Sequence, residues 1–516
     1  MVNRIFSTFL TRRTAAAGLA LVMAGTLLSA CSGSGNSTAE RHVLRIGMVY
    51  GSDDSESYFR QQFTDTFEYT HPNIDLEIVS AVNYNDQMFN QPSDGTPAKQ
   101  PDPYEKLKEL LTGTNPVDVI VFDYNLLQRM TRDNLLKQLD PLIAQDKFDL
   151  SDYVPTVIDG IKDAGDNNIY ALTPTFSGSA LFYNKKIFQD AGVTPPTDGM
   201  QWPEVFNLAR QMTKGSGENK IFGFAFNRWS SDGYSDTQQY AAPLQLKMYD
   251  DKGETMLVDT PKWNNVWTTI AGLYKDKIVP GFEDVNKINE SLQKAMGGTN
   301  GNYYNPFQGD LFITGHQAMV IADYGYINQL KLAKDNSSKI KGFTVPDWDV
   351  VTVPTHSEAP GIGMSSYLGQ LMGINSKALN SDDAWEFIKF LNSKEWAKLK
   401  SRSMYEIPAR KEFIKPIDGM TYNIQAFYSL KPIPPASMEL ENIGREKPGI
   451  YQIYSIGSEL FQQVVQGNKT VDQALKEFST RGNTLLQKLK TNPNGDMGGP
   501  AEGGGVSTEA TEATKG

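Results

Sequence analysis

Cysteine and histidine are scarce in this chain of 516 residues, which contains one cysteine and four histidines. A single cysteine excludes a disulfide framework, a cysteine-rich zinc site and an iron–sulfur cluster. The histidines lack the spacing of metal ligands; they are His42, His71, His316 and His356. We therefore predict no metal site and no cofactor.

Basic residues are in the minority, with 49 Lys and Arg against 60 Asp and Glu and a formal net charge of −11. Nucleic-acid binding requires a clustered basic surface, so no nucleic-acid partner is expected. The chain also has no G-x-S-x-G, no G-x-x-x-x-G-K-[ST] and no H-E-x-x-H motif. Nothing in the sequence demands an enzyme, and we predict no catalytic residue.

The apolar run near the N-terminus, residues 15–28, is fourteen residues long. A membrane-spanning helix needs ~20 residues, whereas this length suits the apolar region of a signal peptide. Arg4, Arg12 and Arg13 precede the run, as in the basic region of such a peptide. We predict a signal peptide over residues 1–30.

The run ends in Leu-Ser-Ala-Cys at residues 28–31, which resembles a bacterial lipobox. This resemblance implies that Cys31 receives a lipid and becomes the mature N-terminus. A Ser- and Gly-rich stretch follows and predicts a flexible tether over residues 31–42. The alternative, a buried core cysteine, fits that composition poorly. The protein is predicted to be exported and lipid-anchored at the outer face of the cell membrane, or on the periplasmic side where there are two membranes.

Strand and helix patterns alternate along the chain. Residues 43–50 and 117–122 are mostly apolar runs typical of buried strands. Between them Phe59, Phe63 and Phe67 recur at helical spacing. Helical crossovers between strands imply a largely parallel sheet, so the fold class is predicted to be α/β. The length suggests two or three domains.

Polar loops and aromatic residues mark the segments that carry chemistry. Two long loops, residues 83–102 and 297–310, interrupt the alternation, and such loops are usually functional or disordered. Aromatic residues stand beside polar ones in residues 226–230, 303–307 and 322–326. A sugar has apolar ring faces and a rim of hydroxyls, so it needs flat aromatic platforms with directional polar partners. Taken alone, each segment is more typical of exposed loop aromatics or the edge of a core.

An ordered set of segments then carries a family resemblance. The strongest are Ile-Tyr-Ala-Leu-Thr-Pro at residues 169–174, Ala-Leu-Phe-Tyr-Asn-Lys-Lys-Ile-Phe at 180–188 and Ala-Gly-Val-Thr-Pro-Pro at 191–196. Together they resemble the extracellular solute-binding proteins of ABC importers, specifically the large sugar-binding family, over about residues 44–489. The resemblance implies a periplasmic-binding-protein-like fold with two lobes. Each lobe would be a mostly parallel sheet flanked by helices, and hinge crossings would join the two.

The resemblance also implies where the chain divides. The N-lobe is predicted over residues 42–174 plus 368–410, the C-lobe over 175–367 plus 411–491, and a disordered tail over 492–516. Crossings are expected near residues 174–177 and 367–370 and within 404–432. The loop at 83–102 should leave a strand at its carboxyl end, where open α/β sheets bind ligands, and so reshape or cap the cleft.

The function that the resemblance implies is capture of a carbohydrate, expected to be an oligosaccharide, for delivery to ABC permease subunits in the membrane. The protein would act as a monomer held to the membrane by its lipid. Two alternatives stay open: a secreted carbohydrate-active enzyme, which would need convergent carboxylates, and a surface carbohydrate adhesin.

The resemblance implies ligand-binding residues at the ends of those strands that match strands of the family, and loop composition adds others. Trp229 and Tyr303 come from composition alone. Arg410, in a Pro-Ala-Arg segment of the family type, equally fits a role in tying down the hinge. The full set is Tyr50, Ser52, Asp53, Asp123, Tyr124, Phe176, Ser177, Trp229, Tyr303, Asp323, Tyr324, Tyr326 and Arg410.

Overall fold

The structure is a computed structural model. It describes residues 41–89, 101–229, 232–295, 306–340, 343–363, 366–403, 405–434 and 438–495. The predictions for Cys31, for the signal peptide and for Tyr303 lie outside these residues. So do those for nearly all of the tether and for the tail beyond residue 495.

Ten strands form two sheets. They are β1 (His42–Gly51), β2 (Ile74–Asn83), β3 (Val119–Phe122), β4 (Ala171–Leu172), β5 (Thr175–Asn184), β6 (Met319–Asp323), β7 (Trp348–Thr352), β8 (Ser366–Tyr367), β9 (Leu371–Ile374) and β10 (Ile407–Pro408) among the described residues. The first sheet has the order β2-β1-β3-β9-β4. In it β1 runs parallel to β2 and β3, whereas β9 runs antiparallel to β3 and β4. The strands predicted at residues 43–50 and 117–122, and the helical stripe between them, are confirmed.

Helices fill most of the remaining chain. Those described are α1 (Asp53–Phe59), α2 (Asp65–Thr70), α3 (Tyr84–Phe89), α4 (Pro103–Thr112), α5 (Tyr124–Arg132), α6 (Asp140–Gln145), α7 (Pro155–Ala164), α8 (Lys185–Ala191), α9 (Trp202–Met212), α10 (Gly233–Ala241), α11 (Pro261–Lys275), α12 (Phe282–Ala295), α13 (Tyr326–Asn336), α14 (Ser381–Leu391), α15 (Lys394–Lys400), α16 (Met438–Glu446), α17 (Gln452–Val465) and α18 (Val471–Leu489). The predicted stripe of Phe59, Phe63 and Phe67 is buried, although a π-helical turn, Arg60–Thr64, joins α1 to α2. No helix in the described part of the chain is long and apolar enough to cross a membrane.

The second sheet is built around β5, which pairs with β6, β7, β8 and β10. The expected two-sheet α/β architecture is present, but these pairings are all antiparallel, where a mostly parallel sheet was expected. Periodicity identifies strands but carries no information on strand direction. A long connection with several helices separates β5 from β6, whereas α13 joins β6 to β7, which run parallel to one another on either side of β5.

Two large hydrophobic cores stabilise these layers. Successive residues of a strand point to opposite faces, and on β5 Phe182 packs into the first core while Leu181 packs into the second. The first core also covers the first sheet, and the second contains α9, α11, α17 and α18. The lobe boundaries stay a prediction. All five strands of the first sheet lie within residues 42–174 and 368–410, but β10, in the same range, pairs with β5 of the second sheet.

Short connections join the two sheets at two of the predicted crossings. Residues 173–174 lead from β4 to β5, and residues 368–370 lead from β8 to β9. The hydroxyl of Thr173 donates to the carbonyl of Gly369 at 3.1 Å, so the connections are tied side by side. Gln370 has a φ of 63°, a left-handed conformation that non-glycine residues adopt at a cost. A Cβ on Gly369 would lie 2.1 Å from the Tyr367 ring, so only glycine lets that ring fold back over the connection.

Candidate functional site

A cavity of about 490 Å³ opens beside the carboxyl end of β6. It contains three residues of the predicted set, Trp229, Asp323 and Tyr326. Its lining consists of Ser179, Phe226, Asn227, Arg228, Trp229, Gln239, Ala242, Ile321, Ala322, Asp323 and Tyr326.

Trp229 presents a flat apolar surface to this cavity, since it remains 53% exposed. The guanidinium carbon of Arg228 lies 4.7 Å from the Trp229 ring centroid and 5.4 Å from that of Tyr326. Such cation–π contacts hold a guanidinium against ring faces. Within the described ranges Arg228 forms no hydrogen bond or ion pair, and its charge acts on the buried carboxyl of Asp310.

Tyr326 lines the cavity from a buried position, with 1% of its surface exposed. Its hydroxyl donates to Oδ1 of Asp310 at 2.8 Å, and Asp310 is itself 3% exposed. Burial raises the pKa of the Asp310 carboxyl to about 6, against the opposing effects of the Ile313 backbone N–H, the Tyr326 hydroxyl and the Arg228 charge. Tyr326, in the wall of the cavity, is therefore held by the buried carboxyl of Asp310, which also feels the charge of the Arg228 guanidinium.

Asp323 is exposed at the end of β6, and its Oδ1 accepts the backbone N–H of Tyr326 at 3.1 Å. It lies opposite Ser179 of β5 in the antiparallel register. Tyr324 points elsewhere: it is 4% exposed and its ring packs edge-on against Phe427 at 5.5 Å. Tyr324 does not line the cavity and belongs to the hydrophobic core.

A second group of predicted residues lies at the carboxyl edge of the first sheet. Tyr50 is 44% exposed and stacks on Tyr84. Asp123, just after β3, accepts a hydrogen bond from the Tyr367 hydroxyl at 2.5 Å. Tyr124 donates its hydroxyl to the carbonyl of Gly160 at 2.9 Å, and burial raises the pKa of Tyr124 to about 12.

Ser52 and Asp53 serve the start of α1. The Ser52 hydroxyl accepts the backbone N–H of Ser55 at 3.2 Å, and the Ser55 hydroxyl lies 2.6 Å from the Ser52 backbone nitrogen, which donates to it. This reciprocal capping box satisfies free backbone groups of the helix. Asp53 is exposed in the first turn, where a carboxylate suits the helix dipole.

The remaining predicted residues hold the crossings. Phe176 is 3% exposed and pairs with Ile407 of β10. Arg410 is also 3% exposed; its Nε donates to the carbonyl of Asn392 at 2.8 Å and its Nη1 to that of Asp149 at 3.1 Å. These contacts support the hinge-tying role for Arg410.

One surface, which we call the floor, connects the two groups of residues and consists of Asp323, Ser179, Ser177, Tyr367 and Asp123. Asp323 faces Ser179, while Ser177, two residues earlier on β5, pairs with Tyr367. The Tyr367 hydroxyl then reaches Asp123 at the edge of the first sheet. A continuous run of side chains thus leads from the cavity across the crossings to the first sheet.

Sequence reasoning missed several residues of this arrangement, which are Tyr84, Ser179, Asn227, Arg228, Asp310 and Tyr367. Arg228 directly precedes Trp229, and that adjacency was an available signal. Tyr367 begins a predicted crossing. Asp310 and Tyr84 are located only by the tertiary contacts to Tyr326 and Tyr50.

Comparisons with known proteins agree with this architecture. The sequence profile of the family described as bacterial extracellular solute-binding protein matches residues 51–398. The sn-glycerol-3-phosphate-binding periplasmic protein UgpB of Pectobacterium atrosepticum is 23% identical over 361 residues, which cover 66% of this chain and 72% of the relative.

Two solved structures show the same fold. A sugar transporter from Rhizobium etli, in an open conformation, has a TM-score of 0.55 at 19% identity and covers 86% of this chain and 99% of its own. The sugar-binding protein MalE of Xanthomonas citri has a TM-score of 0.53 at 16% identity and covers 87% of this chain and 98% of its own. The two sheets joined at crossings are thus the two lobes of a periplasmic-binding-protein-like fold. Because the family profile spans most of its length, the chain belongs to the bacterial extracellular solute-binding proteins.

Proposed function

We propose that this protein is the lipid-anchored substrate-binding component of an ABC importer and that its ligand is a carbohydrate. The observation that carries the proposal is the cavity of about 490 Å³, in which the half-exposed Trp229 stands beside a rim of polar side chains. The ring is a platform for the apolar face of a pyranose, and the rim supplies partners for its hydroxyls.

The polar groups of the cavity include both hydrogen-bond donors and hydrogen-bond acceptors for the hydroxyls of a sugar. Arg228 offers donors only, and the Oδ1 of Asn227 accepts the Trp229 backbone N–H, so the remaining Asn227 amide hydrogens are donors too. Asp323 offers acceptors, while Ser179 can donate and accept. A polyol presents both kinds of group around its ring, whereas an apolar solute would leave these side chains unpaired at a cost.

Relatives support a sugar or a sugar-like polyol as the ligand. The Rhizobium etli structure is named a sugar transporter and the Xanthomonas citri protein a sugar-binding protein, while the Pectobacterium relative binds sn-glycerol 3-phosphate. The described cavity lining contains a single carboxylate, Asp323. Most glycosidases need two that flank the scissile bond, and the family to which the chain belongs is described as solute-binding proteins, which supports a binding protein over an enzyme.

The test of the ligand is a thermal-shift screen of the purified protein with mono-, di- and oligosaccharides and with sn-glycerol 3-phosphate. A true ligand at a hundred times its Kd should stabilise the folded state by about 2.7 kcal/mol. Stabilisation by one or more saccharides is the expected result. If no saccharide shifts the melting temperature while glycerol phosphate or a peptide does, the carbohydrate assignment is wrong.

The proposed lipid anchor at Cys31 is tested by a separate experiment. Cells grown with labelled palmitate should incorporate the label into this protein, and Cys31→Ser should abolish incorporation and release the protein from the membrane fraction. Two acyl chains are needed for stable anchoring, since one chain binds a membrane only marginally. Equal labelling of the wild-type and Cys31→Ser proteins would contradict the lipid assignment.

A further inference from the structure

We infer that Tyr50 and Tyr84 form a second saccharide-binding subsite, on the first sheet, for a sugar unit distant from the one that stacks on Trp229. This inference rests on the proposed carbohydrate function and extends it, because it makes the ligand an oligosaccharide. The two rings are parallel to within 8°, with centroids 5.8 Å apart. Tyr50 remains 44% exposed and Tyr84 49% exposed, so the offset pair keeps a broad aromatic surface in solvent.

The register of the first sheet places the pair at the edge where ligands bind. Tyr50 lies opposite Val82, and Tyr84 begins α3 directly after the end of β2. Parallel strands end together, and open α/β sheets bind their ligands beyond these carboxyl ends. Tyr84 is the first residue of α3, so a helix, where a loop was expected from residue 83 on, supplies half of the aromatic surface.

The opposite lobe reaches this place through α16. Arg445 forms an ion pair with Asp102, with 3.0 Å between Nε and Oδ2. Asp102 caps α4, whose Leu107 packs in the first core, whereas Ile443 of α16 packs in the second core. Burial raises the pKa of the Tyr50 hydroxyl, as do Tyr84 and Asp123, while the nearby charge of Arg445 opposes the rise. The tyrosine pair therefore lies where both lobes meet, with a guanidinium close to it.

The floor described above connects this pair to the cavity. From Asp323 it passes Ser179 and Ser177 to Tyr367 and Asp123. Met48 of β1 pairs with Val121 of β3, and Tyr50 and Asp123 each follow two residues later at the same edge of the sheet. Hydroxyls and carboxylates line the path, and the aromatic surfaces stand at its two ends. A chain of sugar units needs this alternation, with stacked rings joined by a stretch of hydrogen-bonding groups.

The experiment compares Tyr84→Ala with the wild-type protein by calorimetric titration against a series of mono-, di-, tri- and tetrasaccharides of the sugar found in the screen. Affinity for the longer saccharides should fall about five- to tenfold, as expected for one lost aromatic contact, while affinity for the monosaccharide stays the same. Tyr84→Phe should keep wild-type affinity, because the ring face is what binds. Tyr69→Ala is the matched control, since Tyr69 is 87% exposed on α2 and outside the site.

The outcomes separate the two proposals. If wild-type protein binds saccharides but Tyr84→Ala has no effect, or weakens all lengths equally, the second subsite is refuted and the carbohydrate function stands. If the wild-type protein binds no saccharide of any length, the proposed function itself fails. Because the Tyr84 side chain is half in solvent, its truncation should leave the melting temperature unchanged, which the same samples verify.

Discussion

The buried carboxyl of Asp310 makes a pH-dependent contribution to stability that one substitution removes. Asp310→Asn replaces the titrating group but keeps an oxygen that can accept the Tyr326 hydroxyl, now 2.8 Å away. Among its described partners, Asp310 faces one charged group, the Arg228 guanidinium, and one titratable but neutral group, the Tyr326 phenol. Ile313 and Phe312 contribute backbone N–H groups.

The size of the effect follows from the pKa of this carboxyl. Burial raises it from 3.8 to about 6. At about 1.36 kcal/mol for each unit of pKa, this rise corresponds to about 3 kcal/mol. Below pH ~4 the carboxyl is protonated in both states; between pH ~4 and ~6 only the folded state retains the proton. The contribution of Asp310 is therefore fully present at low pH and is lost as the pH rises through 6.

The assay is urea denaturation of wild-type and Asp310→Asn proteins at pH 4, 5, 6 and 7. The free energy of unfolding of the wild type, minus that of the variant, should fall by about 2.4 kcal/mol over this range, because the unfolded chain is already partly ionised at pH 4. The subtraction removes the titration of all other groups. Asp335→Asn is the control, since Asp335 forms an exposed ion pair with Lys331 on α13 and should give a nearly flat difference. A difference for Asp310→Asn that is constant with pH, or that rises with it, would refute the reasoning.

Two further substitutions separate ligand binding from support of the fold. Trp229→Ala should weaken saccharide binding about tenfold in calorimetric titration and leave the melting temperature unchanged, since the ring is half exposed; unaltered affinity would remove Trp229 from the site. Arg410→Met should cost about 3 kcal/mol in urea denaturation, because the carbonyl of the buried Asn392 and the carbonyl of Asp149 each lose a charged donor. The folded fraction should still bind ligand with the wild-type Kd, and a selective loss of affinity would return Arg410 to the binding residues.

Local patterns predicted the parts of the fold that local forces decide. Helical spacing identified the buried stripe of Phe59, Phe63 and Phe67. Strand direction in the second sheet was not predictable, because each neighbour of β5 could pair in either direction with the same periodicity. The same limit applies within the candidate site.

Residues at strand ends were predictable, but their individual roles were not. Sequence patterns placed both Trp229 and Arg410 in the predicted ligand-binding set. Trp229 lines a cavity, whereas the side chain of Arg410 is buried. The partner of Tyr326 is Asp310, sixteen residues earlier in the chain, and only the packing of the second sheet brings them together. Such contacts depend on tertiary structure, which no short window of sequence contains.

The tie between Thr173 and Gly369 has a mechanical consequence. The two connections are hydrogen-bonded to one another beside the first residues of β5. A rotation of one sheet relative to the other about these connections would therefore have its axis at one end of that strand. β5 has ten residues and, at about 3.3 Å per residue, is about 30 Å long. A rotation of about 10° around this axis would displace the far end of β5 by about 5 Å, roughly the thickness of a sugar ring with its contacts. If the two lobes close on the proposed ligand, changes of backbone angle around Gln370 of this small size would be enough to move the cavity against the first sheet.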